Sequence, residues 1–131
     1  MRGTVRSLAA LLSLSVLAAC GAGPSDEQQV RDTLAAFGRA TARHDYAALC
    51  ERILAPRLVR SVADAGVPCV EALRRGFEGV RDPRISVGAV RVDGSRARAE
   101  VRTSAAGQQP SRDTVALEKT DSGWRIASLV G

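Results

Sequence analysis

His44, Asp45 and Tyr46 form the one run of this 131-residue chain whose side-chain types could perform acid–base chemistry. A carboxylate in an apolar cavity can abstract a proton, and a tyrosine hydroxyl can stabilise the oxyanion that then develops. Adjacent residues at a helix junction point in different directions, so we expect these three not to converge on one substrate. The pattern favours a structural interpretation, in which Asp45 caps a second helix, His44 ends the first, and Tyr46 packs with its hydroxyl in water.

The other acidic residues of the regular elements are predicted to be solvated. Asp113 and Glu100 fall on strands beside arginines and are assigned to outward positions, and Asp64 and Glu71 are assigned to exposed helix positions. The sequence contains no glycine-rich phosphate loop, nucleophile elbow or cluster with metal-ligand spacing. We therefore expect no metal and no other cofactor, and catalysis is the less favoured function.

Cys20 directly follows an apolar segment that begins after two arginines. Arg2 and Arg6 supply positive charge, and residues 8–19 are almost wholly apolar. A segment of about a dozen residues is too short for a membrane-spanning helix, which needs roughly 20. The pattern is typical of an N-terminal signal peptide for export.

Residues 17–21 read Leu-Ala-Ala-Cys-Gly and closely resemble the lipobox of bacterial lipoproteins. In that family the cysteine is acylated, for example with palmitate, and the chain is cut just before it. The resemblance implies a signal peptide over 1–19, lipidation of Cys20, a short tether over 20–24, and an extracytoplasmic protein anchored by lipid to the bacterial cell membrane. The alternative is an ordinary secretory signal that is cut after Ala19.

The composition describes a small, mildly basic domain. Cleavage before Cys20 removes two of the 19 basic residues, which lowers the formal net charge from +5 to about +3. Such a scattered excess does not indicate a nucleic-acid partner. The remaining chain of about 110 residues is long enough to bury one core, so we predict a single domain over 25–131.

Cys50 and Cys69 are predicted to form a structural disulfide. Export places them in an oxidising compartment, where such pairs persist. Closing a loop of about 20 residues stabilises a fold by roughly 3 kcal/mol. A redox dithiol and half of a metal site are disfavoured, because the spacing is not Cys-x-x-Cys and the chain has a single histidine.

The spacing of apolar residues predicts helices in the first half of the chain. Ser25 begins a capping box and a first helix that ends near His44. Asp45 begins a second helix, Pro56 is the first residue of a third, and a fourth follows Pro68.

From Ile85 onward the apolar residues alternate, which predicts strands. Their parity slips near Gly88 and indicates a β-bulge, and Asp93-Gly94 indicates a two-residue hairpin turn. Helices followed by an antiparallel meander give an α+β fold, with the N-terminal helices packed on a curved sheet of about four strands.

Taken in this order, the features resemble the NTF2-like (SnoaL/ketosteroid-isomerase-like) superfamily, in particular its small secreted bacterial lipoproteins. Besides the long first helix and the cysteine that opens the fourth, the matching stretches are residues 44–50, 90–94 and 123–126. The resemblance implies a cone-shaped cavity between sheet and helices. The usual early strand pair is missing from the sequence, so we expect a reduced cone. The superfamily contains isomerases, dehydratases and binding proteins, so the fold does not fix the function.

We expect a non-catalytic lipoprotein that binds a small apolar ligand or a protein partner. The alternative that remains open is a filled core without a pocket. The candidate pocket residues are Leu34, Phe37, Leu49, Phe77, Ala97, Ala99, Val101, Val115 and Leu117.

Two other functions remain open. An isomerase or dehydratase would use Asp45 or Asp113 as base and Tyr46 as donor, and requires these groups to meet in one cavity. A dimerisation or assembly module would pair its open sheet face with a second copy. Outward arginines on the second strand argue against a dry homodimer interface of that kind.

Overall fold

The computed structural model describes residues 23–130, with side chains to residue 128. The predicted signal peptide and the lipidation of Cys20 lie outside the described residues. The described chain forms helices and then strands in the predicted order. They are α1 (Asp26–Ala42), α2 (Tyr46–Ala48) with a π-helical segment (Leu49–Ile53), α3 (Pro56–Asp64), α4 (Cys69–Gly76), β1 (Arg84–Asp93), β2 (Arg96–Ser104), β3 (Ser111–Thr120) and β4 (Gly123–Val130).

α1 begins where the cap predicts. The Ser25 hydroxyl accepts a hydrogen bond from the backbone N–H of Gln28 at 3.1 Å. The Gln28 side chain donates to Asp32 at 2.9 Å and not back to the cap, so only half of the capping box forms. One face of α1 is buried; it consists of Val30, Leu34, Phe37, Ala40 and Thr41.

The start of α1 is tied to the β3–β4 hairpin through Asp26. Its Oδ1 accepts hydrogen bonds from Lys119 Nζ at 2.7 Å and from Trp124 Nε1 at 3.0 Å. These two bonds, the one from Lys119 first, hold the pKa of Asp26 below its usual value of 3.8. The Lys119 ammonium also lies 5.9 Å from the centre of the Trp124 ring.

The second helix is shorter and less regular than predicted. Three residues of α-helix widen into a π-helical segment, in which Leu54 N–H donates to Leu49 O at 2.8 Å. Leu54 then leaves the helix: its backbone is extended and bridges Ile126 of β4. Ala55 N–H donates to Ile126 O at 2.7 Å, so the chain is fastened to the sheet at this point.

Two short helices follow, and a disulfide joins the second of them to the π-helical segment. Pro56 is the first residue of α3, and Gly66 follows that helix with a φ of +92°. The apolar face of α3, formed by Leu58, Val59 and Val62, is only half-buried. Cys50 and Cys69 are bonded with their Cα atoms 6.1 Å apart, which is an ordinary disulfide span.

The four strands form one antiparallel sheet in the order β1-β2-β3-β4. The predicted bulge in β1 is confirmed, because the pairing with β2 shifts between Val87 and Val90. The hairpin turn lies one residue later than predicted: Asp93 pairs with Arg96, and Gly94 takes the first turn position with a φ of +56°. A second, unpredicted shift lies between β3 and β4.

The core lies between the inner face of the sheet and α1. The α1 backbone comes close to β1 at Gly38, where a Cβ would stand 2.6 Å from the Ile85 γ-methyl. Only glycine permits this approach. The fold is α+β with helices on a curved sheet, as predicted. The elements that the structure describes between α1 and β1 are helices, and no early strand pair lies among them. No helix among residues 23–130 is both long and apolar enough to cross a membrane.

Candidate ligand cavity

A cavity of about 540 Å³ opens between α1, α4 and one end of the sheet. Its floor is apolar and includes Leu34 and Val115, which are almost fully buried. Its mouth is polar and lies at the end of the sheet where β1 begins and the β2–β3 loop crosses. Arg84, Ser104, Gln108 and Gln109 line that mouth.

Five of the nine predicted pocket residues line this cavity, and four do not. The five are Leu34, Phe37, Phe77, Val101 and Val115. The other four, Leu49, Ala97, Ala99 and Leu117, are buried core side chains with exposed fractions of 0 to 4%. The small alanine side chains of β2 let the layers approach closely there, so that part of the interior is filled.

Asp113 also lines the cavity, so its predicted outward position is wrong. It pairs directly with Val101 across β2 and β3, and directly opposed residues project to the same face of a sheet. Side chains alternate with a period of two, so Asp113 shares the inner face with Val115 and Leu117. The same alternation, continued two residues back from Val115, would have found this carboxylate in the sequence.

The Asp113 carboxylate ends a short chain of hydrogen bonds. Ser111 Oγ donates to Asp113 Oδ2 at 2.7 Å, and Thr103 Oγ1 lies 2.8 Å from Ser111 Oγ. Because Ser111 has a single hydroxyl proton and gives it to the carboxylate, Thr103 must be the donor in the second bond. The other carboxylate oxygen of Asp113 accepts no hydrogen bond from a described residue, nor does any described cation form an ion pair with it.

Thr41 adds a second polar group to the cavity wall. The residue is 4% exposed, and its hydroxyl has no hydrogen-bond partner within the described part of the chain. A buried hydroxyl that makes no bond costs about 1–3 kcal/mol. The wall thus retains a polar group that the fold itself does not satisfy.

The three residues at the α1–α2 junction separate into two environments. The Asp45 carboxylate accepts from Ala48 N–H at 3.0 Å, which confirms the predicted cap. His44 Nδ1 and Tyr46 Oη lie 2.9 Å apart, so the expected divergence is wrong for this pair. The contact depends on His44 adopting a left-handed backbone, with a φ of +55°.

The acid–base arrangement of an isomerase is not assembled. Tyr46 stacks on Phe77, with ring centroids 6.1 Å apart, but it does not line the cavity that Phe77 and Asp113 share. Asp45 does not line that cavity either. One candidate base therefore faces the cavity, and the candidate tyrosine donor does not.

The remaining acidic candidates have structural positions. Glu100 and Asp64 are exposed, as predicted. Glu71 is not fully exposed: it pairs with Arg74 and Arg75, and the latter bond measures 2.7 Å. Within residues 23–130, no three His, Cys, Asp or Glu side chains are grouped closely enough to hold a metal ion.

Comparison with solved structures identifies the fold. The chain is similar to an NTF-2-like protein of unknown function from Silicibacter pomeroyi, with a TM-score of 0.56 and 20% identity over 79% of this chain and 91% of that one. It is equally similar to the Kfla4162 protein of Kribbella flavida, with a TM-score of 0.56 and 19% identity over 80% and 88% of the two chains.

A third similar structure is a SEC-C motif containing protein from Rhodopseudomonas palustris, with a TM-score of 0.51 and 17% identity over 83% of this chain and 93% of that one. No protein-family model matches the chain, and no curated protein matches it. At these identities the likeness concerns the fold alone, and the predicted NTF2-like fold is confirmed.

Proposed function

We propose that this protein is a non-catalytic extracytoplasmic lipoprotein that binds a small, mainly apolar ligand in the cavity between α1, α4 and the sheet. The observation that carries the proposal is the cavity itself, about 540 Å³ with an apolar floor and an inward carboxylate. Small-molecule sites have volumes of roughly 300–1,000 Å³ and combine apolar walls with a few placed polar groups.

The polar groups support binding more than catalysis. Asp113 is a candidate base, but Tyr46 lies outside the cavity and cannot stabilise an oxyanion that forms within it. The free oxygen of Asp113 is a group that a bound molecule could satisfy. A carboxylate that has no tyrosine hydroxyl beside it in the cavity is better suited to binding a ligand than to acid–base catalysis.

The position of the predicted lipid anchor suits a cavity whose mouth faces away from the membrane. Cys20 lies five residues before Ser25, and five residues of fully extended chain reach at most roughly 17 Å. α1 then runs for 17 residues, roughly 25 Å. It begins at the end of the sheet that carries the β1–β2 and β3–β4 turns, here called the hairpin end, and ends beside the cavity. A lipid on Cys20 would hold the hairpin end near the membrane and leave the mouth facing away from it.

The experiment that tests ligand binding is native mass spectrometry of the full protein, purified from its own membranes with the disulfide intact. We expect a reproducible extra mass on the protein beyond that of the lipid anchor, released on mild denaturation. A protein without any such mass, and without uptake of added apolar molecules, would contradict the proposal.

Two matched variants place the ligand in the cavity. Thr103 lines the mouth on the inner face of the sheet, whereas Thr114 is exposed and pairs with the outward Glu100. Thr103→Phe should narrow the mouth and reduce the bound fraction, and Thr114→Phe should leave it unchanged. Both substitutions insert the same aromatic side chain into a strand, where it is well tolerated. Equal loss from both variants would place the ligand elsewhere.

The anchor is tested separately with Cys20→Ser. Only a thiol can form the thioether to the lipid, so we expect this variant to leave the membrane fraction while the parent protein remains there. If the variant still sediments with membranes, the lipid on Cys20 is not what holds the protein there.

A further inference from the structure

We infer that the cavity selects ligands with an apolar body and a protonated amine, and that Asp113 holds the amine at the mouth. The inference rests on the proposed ligand-binding function and deepens it by naming the chemistry of the ligand. Three features of the described residues carry it: the apolar floor, the position of Asp113, and the direction of the hydrogen bonds that reach it.

The floor determines the body of the ligand. Phe37, Val101 and Ile126 are at most 9% exposed, and each lines the cavity. Apolar surface of this kind gains free energy only by covering apolar atoms of the ligand. The ligand therefore places hydrocarbon or aromatic groups against this floor.

The carboxylate determines the head group. Asp113 is half-buried and precedes the buried Val115 by one inward position along β3, so it stands where the floor gives way to the mouth. Its Oδ2 already accepts the Ser111 proton at 2.7 Å, and its other oxygen is free of described donors. An ionised carboxylate only accepts hydrogen bonds, so its partner in the ligand must be a donor.

The direction of the hydrogen-bond chain strengthens this requirement. Thr103 donates to Ser111, and Ser111 donates to Asp113, so both hydroxyls direct their protons toward the carboxylate. Neither proton remains for an anionic ligand. Arg84 also lines the cavity, but its side chain is exposed and none of the described acidic groups pairs with it. A cationic donor thus makes the strongest bond available at this position, because bonds between charged groups exceed neutral ones.

The test compares three molecules with one body and different head groups: phenylbutylamine, phenylbutanol and phenylbutyrate. Their dissociation constants are measured by calorimetry on the full protein in an uncharged detergent, after subtraction of the same titration into detergent alone. We expect the amine to bind at least tenfold more tightly than the carboxylate, with the alcohol between them. Asp113→Asn, which keeps the shape of the side chain, should remove most of the advantage of the amine and leave alcohol binding within about twofold.

The outcomes separate the two proposals. Binding of all three molecules with equal affinity, or tighter binding of the carboxylate, would overturn the amine selectivity while retaining a ligand cavity. Failure of every molecule to bind would overturn the amine selectivity, and together with the absence of any extra mass in the native mass spectra it would overturn the ligand cavity as well. The comparison of amine and carboxylate on the unaltered protein decides the question even if Asp113→Asn does not fold.

Discussion

Replacing Thr41 by valine should stabilise the protein in the absence of ligand. The two side chains have nearly the same shape, and the hydroxyl that is lost is buried and unbonded, in a residue that is only 4% exposed. Its burial costs about 1–3 kcal/mol. In a domain of this size, each kcal/mol raises the melting temperature by roughly 4 °C, so the variant should melt about 4–12 °C above the parent protein.

The same substitution elsewhere on α1 provides the control. The Thr33 hydroxyl donates to Gln29 O at 3.0 Å and lies 3.2 Å from Trp124 O, so Thr33→Val removes bonds that are made. It should lower the free energy of unfolding by about 1 kcal/mol. The assay is thermal and urea unfolding followed by circular dichroism, with ligand removed beforehand. If Thr41→Val is destabilising, or if both variants shift stability in the same direction, the Thr41 hydroxyl is not an unsatisfied group.

Two further changes act on the rest of the fold. Replacing Cys50 and Cys69 by serine opens a loop with a sequence separation of 19 and should cost about 3 kcal/mol, measured by unfolding of the variant beside the parent; a loss below about 1 kcal/mol would contradict the loop-closure reasoning. Asp26→Asn should lower stability at neutral pH, because the ionised carboxylate is favoured in the folded state. The pKa of Asp26 lies below 3.8 when folded, so its contribution is present above that value and is lost as pH falls through the folded pKa. The melting temperatures of variant and parent should therefore converge in acid, and a difference that persists unchanged there would show that the charge is not responsible.

The sequence predicts the elements well where a local signal fixes them. Ser25 caps α1, Pro56 starts α3, and the slip of parity near Gly88 is a real bulge. Each signal acts within a few residues, so tertiary contacts have little opportunity to override it. The second helix shows the limit of such signals, because its π-helical segment and the extended Leu54 are fixed by pairing with β4, 72 residues away.

The site is less predictable, because a cavity is a property of packing rather than of pattern. Leu49 and Leu34 lie on apolar faces with the same appearance in the sequence, yet one is sealed in the core and the other lines the cavity. Likewise, the contact of His44 with Tyr46 requires a left-handed backbone at His44 that its residue type does not demand. These distinctions depend on how closely distant elements approach one another.

The position of the cavity can nevertheless be read from a change of residue type along the inner face of the sheet. Toward the hairpin end, the paired inner residues of β2 and β3 are Ala97 with Leu117, and they are buried. Toward the other end they are Val101 with Asp113, and then Thr103 with Ser111. A sealed core would leave the carboxylate without water and strongly disfavour its charge. The inner face therefore turns polar because the layers separate there, so a switch from apolar to polar at inward positions of neighbouring strands marks the mouth of a cavity.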